Sequence, residues 1–152
     1  WVADLRALAG VPLRPALCHL IADPASGGAG KRWRLYLRWM VRPDDGIDVG
    51  AWAHLFSPAD LTLPLDTHWV RLGYRLGLTR RRTPDGKMAR EITAALRALD
   101  PRDPLRYDLP ICHLGIDGGC PRELRQEDCR SCPLRAGCAC ADLWSEGGRP
   151  PA

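Results

Sequence analysis

Cys120, Cys129, Cys132 and Cys138 stand in the pattern C-x8-C-x2-C-x5-C. Four thiols this close in sequence can wrap one tetrahedral metal ion or one iron–sulfur cubane, because each takes four cysteine thiolates. The x2 pair shares a tight turn, and Pro133 stiffens the chain just after it. The x5 gap spans one turn of helix or loop returning to the same centre. A 4Fe–4S cluster and a zinc ion each satisfy that geometry, and either would pin a segment poor in large apolar side chains. Cys18, Cys112 and Cys140 bring the cysteine count to 7, an odd number. That favours a metal site with spare thiols in a reducing cytosol over a disulfide framework. Cys140 reads as redundant with Cys138, and Cys112 and His113 as packing residues.

The rest of the chain must position this set. Its 152 residues are 45% hydrophobic, enough to bury a core as one domain or two small lobes. No uninterrupted apolar run reaches the ~20 residues of a membrane span, and no secretory signal is visible. A soluble cytoplasmic protein without a membrane partner is expected. The formal net charge is +4, from 22 basic and 18 acidic residues. Lys31 and Lys87 are the only lysines, so the cations are nearly all arginines, whose planar forks suit phosphate oxygens. A net charge this modest says little by itself; its placement matters more. The chain opens at Trp1 instead of Met, and it is expected to be the N-terminally truncated remainder of a longer parent.

Helical signals dominate, and no alternating strand pattern or internal repeat is present. Residues 2–22 read as partly helical, broken by Gly10, Pro12 and Pro15. Asp23 to Gly30 is a glycine-rich loop. Lys31 to Arg42 is a helix with Trp33, Tyr36, Leu37, Met40 and Val41 at helical spacing, ended by Pro43. Residues 43–64 are irregular. A second helix starts at the N-cap Asp66 and runs to Leu76 before Gly77, with Trp69, Leu72 and Leu76 facing the core. A third runs from about Asp85 to Leu99 with the stripe Met88, Ile92, Leu96 and Leu99. A fourth begins at Asp103-Pro104 and reaches toward Gly115, with Pro110 as a kink. The fold class is all-α. The expected divisions are a helical domain over 1–116, the cysteine loop over 117–140 and a disordered tail over 141–152.

Three features occur in order: Gly27-Gly28-Ala29-Gly30 leading to Lys31, then Leu65-Asp66-Thr67-His68 with Val70 and Arg71, then the cysteines. In this order the chain resembles the endonuclease III branch of the helix-hairpin-helix DNA glycosylases. That family carries a catalytic Asp in a V-D-T-H-V-x-R-type segment and a C-x6-C-x2-C-x5-C cluster. The resemblance is most specific from Asp66 to Cys138. The family's L-P-G-x-G hairpin before lysine is replaced here by Gly27 to Gly30, and the first cysteine gap is x8 instead of x6. The separation of Lys31 from Asp66 is closer to that of the archaeal 8-oxoguanine glycosylases. The stretches from Lys31 to Gly50 and from Leu63 to Thr79 are also similar to a bacterial family of unknown function, which would be a divergent glycosylase branch.

The resemblance implies a glycosylase-type helical bundle that excises a damaged or mismatched base from double-stranded DNA, with AP lyase activity, as a nucleoid-associated monomer. Breaking a glycosidic bond builds positive charge on the sugar, and a fixed carboxylate beside C1′ stabilises it; Asp66 takes that role. Lys31 takes the role of the amine that attacks C1′, once its proton is lost, to give a Schiff base. Arg34, Arg38 and Arg42, at i, i+4 and i+8, would track a phosphate backbone. Gly28 and Gly30 would offer backbone N–H groups to a phosphate. Arg122, Arg125, Arg130 and Arg135 interleave the cysteines, and of these Arg130 and Arg135 are expected on DNA. Trp52, Trp69 and His68 could fill the gap left by an extruded base, although core packing suits the tryptophans better and helix support suits His68. The competing reading is a non-catalytic nucleic-acid-binding module with a structural zinc or iron–sulfur site.

Overall fold

The computed structural model describes residues 22–140 together with Asp4, Ala7 and Leu8. The remainder of the expected N-terminal helix, Cys18 and the tail over 141–152 lie outside the described residues. Among the described residues the only β-pairing is an isolated bridge between Gly28 and Asp85, so the chain is all-α. Among them, too, no helix is long and apolar enough to cross a membrane.

Helix α1 spans Lys31–Val41. It stops at Arg42, which is extended (ψ 141°) because the proline after it disfavours the helical region. Helix α2, Thr67–Arg75, is capped by Asp66, whose carboxylate accepts the Trp69 N–H at 2.8 Å. It ends at Leu76, and Gly77 then turns the chain with φ 73°. Helix α3, Gly86–Leu99, is capped in the same way by Asp85 through the Met88 N–H, also at 2.8 Å. These three helices start and stop within about a residue of their sequence signals.

The fourth helix departs from expectation. A 3-10 turn over Pro104–Tyr107 comes first, and α4 proper spans Asp108–Ile116. A continuous helix from Asp103 would have placed Pro110 in its interior, where the missing N–H costs a bond and the ring clashes. Restarting at Asp108 puts Pro110 in a first turn, where the N–H has no intrahelical partner to lose. A short helix α5, Gln126–Arg130, and a 3-10 turn over Arg135–Gly137 shape the cysteine segment.

The main core gathers Leu63, Leu65, Trp69, Met88, Ala89, Ile92 and Leu96, with Val41, Leu61 and Leu105 forming a second cluster. The predicted α3 stripe holds for Met88, Ile92 and Leu96, but Leu99 in the last turn is 66% exposed. The α1 stripe is displaced. Val41 is buried, yet Tyr36 is exposed and the other fully buried side chain of α1 is Arg38. The Ile92 side chain of α3 packs onto α2 at Gly73, where an added Cβ would lie 2.6 Å from Ile92 Cδ1 and 3.2 Å from its Cγ1. Ile92 is itself fully buried and has nowhere to retreat. Gly73→Val is therefore expected to cost about 2–3 kcal/mol by overpacking. It should lower the urea midpoint with the slope m unchanged.

Candidate functional site

Helix α2 has two working faces. Trp69, Leu72 and Gly73 enter the core. Thr67, Val70, Arg71, Tyr74 and Arg75 fall at helical i, i+3, i+4, i+7 and i+8 spacing and line a cleft of about 830 Å³. Asp66, just ahead of the helix, opens onto the same cleft, and so does Lys31 from the start of α1. Two distant sequence motifs therefore meet at one opening.

Lys31 reaches it through the glycine loop. The Gly86 N–H donates to the Gly27 carbonyl at 3.0 Å, which pins the loop on the first turn of α3. A Cβ at Gly86 would sit 3.1 Å from the Gly28 carbonyl oxygen, so any larger residue there would push the loop back by a few tenths of an ångström. Gly30 then adopts φ 55° and delivers Lys31 as an exposed first helical residue.

The cleft is strongly cationic. Lys31, Arg71, Arg75, Arg81, Arg82 and Arg122 line it, against the carboxylate of Asp66. Arg81 is committed to Asp85 at 2.7 Å. Burial, together with the nearby Arg75 and Arg122 guanidiniums, holds Arg71 below the ordinary arginine range despite the counter-pull of Cys120 and Asp66. An anion entering the cleft would relieve that crowding of like charge.

Behind Asp66 a half-buried polar relay leads to the buried Asp108. Asp66 Oδ2 is 3.6 Å from Cys112 Sγ, and Cys112 Sγ is 3.7 Å from Asp108 Oδ1. Burial and the two carboxylates push the Cys112 thiol far above its usual range, so it stays S–H and can donate to either acid. Asp108 also accepts from the Trp69 indole N–H at 2.6 Å and from Arg38 at 2.7 Å. Burial raises the Asp108 carboxyl, and Arg38 and Trp69 pull it back toward the anion. Sequence reasoning missed this relay. The available signal was the i, i+4 spacing of Asp108 and Cys112 on one helix.

The cysteine segment is bolted to the far end of α2. Arg75 is 2% exposed and donates to Cys120 Sγ at 3.2 Å, to the Pro121 carbonyl at 2.5 Å and to the Arg122 carbonyl at 2.7 Å. Arg71 donates to the Cys120 carbonyl at 3.0 Å, and the Cys138 thiol to the Arg75 carbonyl at 3.5 Å. Cys120, Cys129 and Cys140 are buried, while Cys132 and Cys138 are half-buried. Burial and the nearby sulfurs of Cys138, Cys120 and Cys129 push the Cys140 thiol up to about 11, so these four share one neighbourhood. Cys140, set aside in the sequence as redundant, is the most enclosed of them, at 2% exposure. As donors, a pool of soft thiols beside a buried guanidinium suits a thiolate-ligated group. Among the described residues, no three His, Cys, Asp or Glu side chains are grouped as a single-ion site.

The arginine stripe of α1 requires correction. Arg38 and Arg42 do not present a surface to phosphate. Arg38 is 4% exposed and pairs with Asp108 and with Asp48, the latter at 3.3 Å. Arg42 grips Asp103 through Nε and Nη2, the latter at 2.9 Å, and also pairs with Asp48 and Asp45. Asp103 and Asp48 raise Arg42 despite its burial. The acids that claim both cations come from the irregular 43–48 loop and the approach to α4. Arg34 is half-buried beside Gly30 in a smaller hollow, and burial with the nearby Arg90 lowers it. Gly28 and Gly30 line a further hollow with Lys31 and Arg32. Arg130 and Arg135 are exposed and do not line the Lys31–Asp66 cleft, whereas Arg122 does. Trp69 is a core residue, Trp52 packs edge-on against Tyr36, and His68 lies 3.4 Å from Arg71 and close against Gly115.

No curated protein and no solved structure matches the chain. A family model does, over residues 10–117, and that span holds Lys31, Asp66, Arg71, Cys112 and the arginines of the cleft other than Arg122, while the four-cysteine pattern follows it. The chain belongs to the family described as protein of unknown function (DUF2400).

Proposed function

We propose that this protein is a DNA repair glycosylase with AP lyase activity, built on a helix-hairpin-helix glycosylase-type bundle and acting on a damaged or mismatched base. The observation that supports it is the opening of the Lys31 amine and the Asp66 carboxylate onto one cationic cleft. An amine and a carboxylate at one opening match a nucleophile and a stabiliser of the sugar cation. The flanking arginines match a phosphodiester substrate. Asp66 holds its carboxylate at the helix start, with Oδ1 fixed by the Trp69 N–H and Oδ2 beside the Cys112 thiol. Neutral Lys31 attacks C1′ and the base leaves with its bonding electron pair and takes up the proton the nitrogen sheds; the C1′–O4′ bond then breaks, O4′ is protonated, and the resulting imine opens the route to strand cleavage.

Cys120, Cys129, Cys132 and Cys138 would hold a 4Fe–4S cluster, with zinc as the alternative. Its contribution is structural: it would fasten the segment that brings Arg122 to the cleft. Purified protein is expected to be brown and to contain iron. A colourless protein with stoichiometric zinc by elemental analysis would assign the other metal.

The reading is tested by borohydride reduction during incubation with lesion-containing duplexes. A covalent protein–DNA adduct is expected, and Lys31→Ala should remove it. The absence of an adduct and of base release across a broad lesion panel would overturn the assignment. DNA binding without base release would then support a nucleic-acid-binding module with a structural metal.

A further inference from the structure

We infer that Tyr74 and Arg82 form a stacking floor for an unpaired nucleobase at the end of the cleft away from Asp66. The inference rests on reading the cleft as a nucleic-acid site. Arg82 lies over the Tyr74 ring with its guanidinium carbon 3.8 Å from the ring centroid. Both residues line the cleft with Lys31 and Asp66. Tyr74 is half-buried and Arg82 exposed, so the guanidinium covers the ring while remaining accessible to solvent.

The pair is held in place by its neighbours. Gly77 adopts φ 73°, and the Gly77 and Leu78 N–H groups close on the carbonyls of Tyr74 and Gly73 at 3.0 and 2.9 Å. Thr79 donates to Glu91 at 2.6 Å and accepts the Arg81 N–H at 3.1 Å. Arg81 is tied to Asp85 at 2.7 Å. The chain on the N-terminal side of Arg82 is therefore fixed, and Arg82 itself pairs with no carboxylate among the described residues. A surface arginine usually takes a carboxylate or water; this one lies on an aromatic face instead, giving a planar cationic platform.

Guanidinium and aromatic planes stack on bases of any sequence, because every base has a π-face. Tyr74 lies eight residues beyond Asp66, about 12 Å along the helix axis. The floor and the carboxylate thus address different parts of one strand, with the exposed Arg122 lining the same cleft. The ligand is a base-bearing phosphodiester strand with at least one unpaired nucleotide, and no lesion is required.

The test compares two fluorescein-labelled ligands of equal length and charge at one fixed salt concentration. One is unmodified oligothymidylate; the other is the same phosphodiester backbone with tetrahydrofuran abasic residues throughout, which offer no C1′ aldehyde for an amine to trap. The protein is expected to prefer the base-bearing ligand. Tyr74→Ala should weaken that ligand about tenfold and leave the abasic one unchanged, while Tyr74→Phe keeps the preference. Arg82→Lys, which retains charge but loses the plane, should erase much of the preference without lowering affinity for the abasic ligand. Equal affinity for the two ligands, or a preference that survives both Tyr74→Ala and Arg82→Lys, overturns the inference. Because neither ligand can form an imine with Lys31, this result is separable from the borohydride experiment: stacking preference without a covalent adduct on lesion-containing duplexes would sink the glycosylase reading alone.

Discussion

Asp66→Asn is expected to reduce base release by at least 10²–10³-fold while leaving the fold intact. Asn retains the shape and caps a helix about as well as Asp, so the Trp69 N–H keeps an acceptor. On the proposed reading, what disappears is the negative charge that would face the sugar cation, and preorganised charge of this kind is worth roughly 3–4 kcal/mol in the transition state. Single-turnover excision, with a thermal melt as control, separates the two contributions. Asp66→Ala is the informative companion. It should lose the same catalysis and a further ~1 kcal/mol of stability from the vacated cap. Unchanged turnover in Asp66→Asn would reduce Asp66 to a capping residue.

The largest stability effect should come from Asp108→Ala, with a loss of about 3–5 kcal/mol in urea unfolding. Arg38 and Asp108 are paired at 2.7 Å with their side chains about 5% exposed. Removing the acid leaves a buried guanidinium with only its longer bond to Asp48 at 3.3 Å and strips the Trp69 indole N–H of its acceptor. An uncompensated buried charge is far costlier than the pair was stabilising. The loss is a large share of the 5–15 kcal/mol that holds a typical domain folded. The Arg106–Asp100 pair provides the contrast: its arginine is 59% exposed, and Arg106→Ala should leave the urea midpoint nearly unchanged.

Local chemistry was legible and long-range chemistry was not. Asp66 and Asp85 announced α2 and α3 because an aspartate cap acts within three residues of itself. Gly77 and Pro43 marked helix ends for equally local reasons. The core face of α3 followed from a period of 3.6 up to Leu96, and failed at Leu99 because periodicity does not report where the opposing surface ends. Arg38 and Arg42 were misread for the same reason. Their spacing gave a charged stripe, but whether a stripe meets solvent or a set of acids depends on Asp48, Asp103 and Asp108, up to 70 residues away. Asp66 and Lys31 were identified through a motif resemblance, and their shared cleft depends on the close approach of the glycine loop to Gly86. Tyr74, Arg81 and Arg82 carried no motif; the phase of α2 sets the first at the opening, and the turn after α2 sets the other two.

The length of α2 is as constrained as its composition. One inserted residue between Asp66 and Arg71 would rotate everything beyond it by about 100°. Arg71 and Arg75 would swing off the carbonyls they hold at Cys120 and Pro121, and Leu72 would leave the hydrophobic interior for solvent. Substitutions along this helix can be absorbed one at a time, but a change of phase cannot, because three separate partners read the same nine-residue screw.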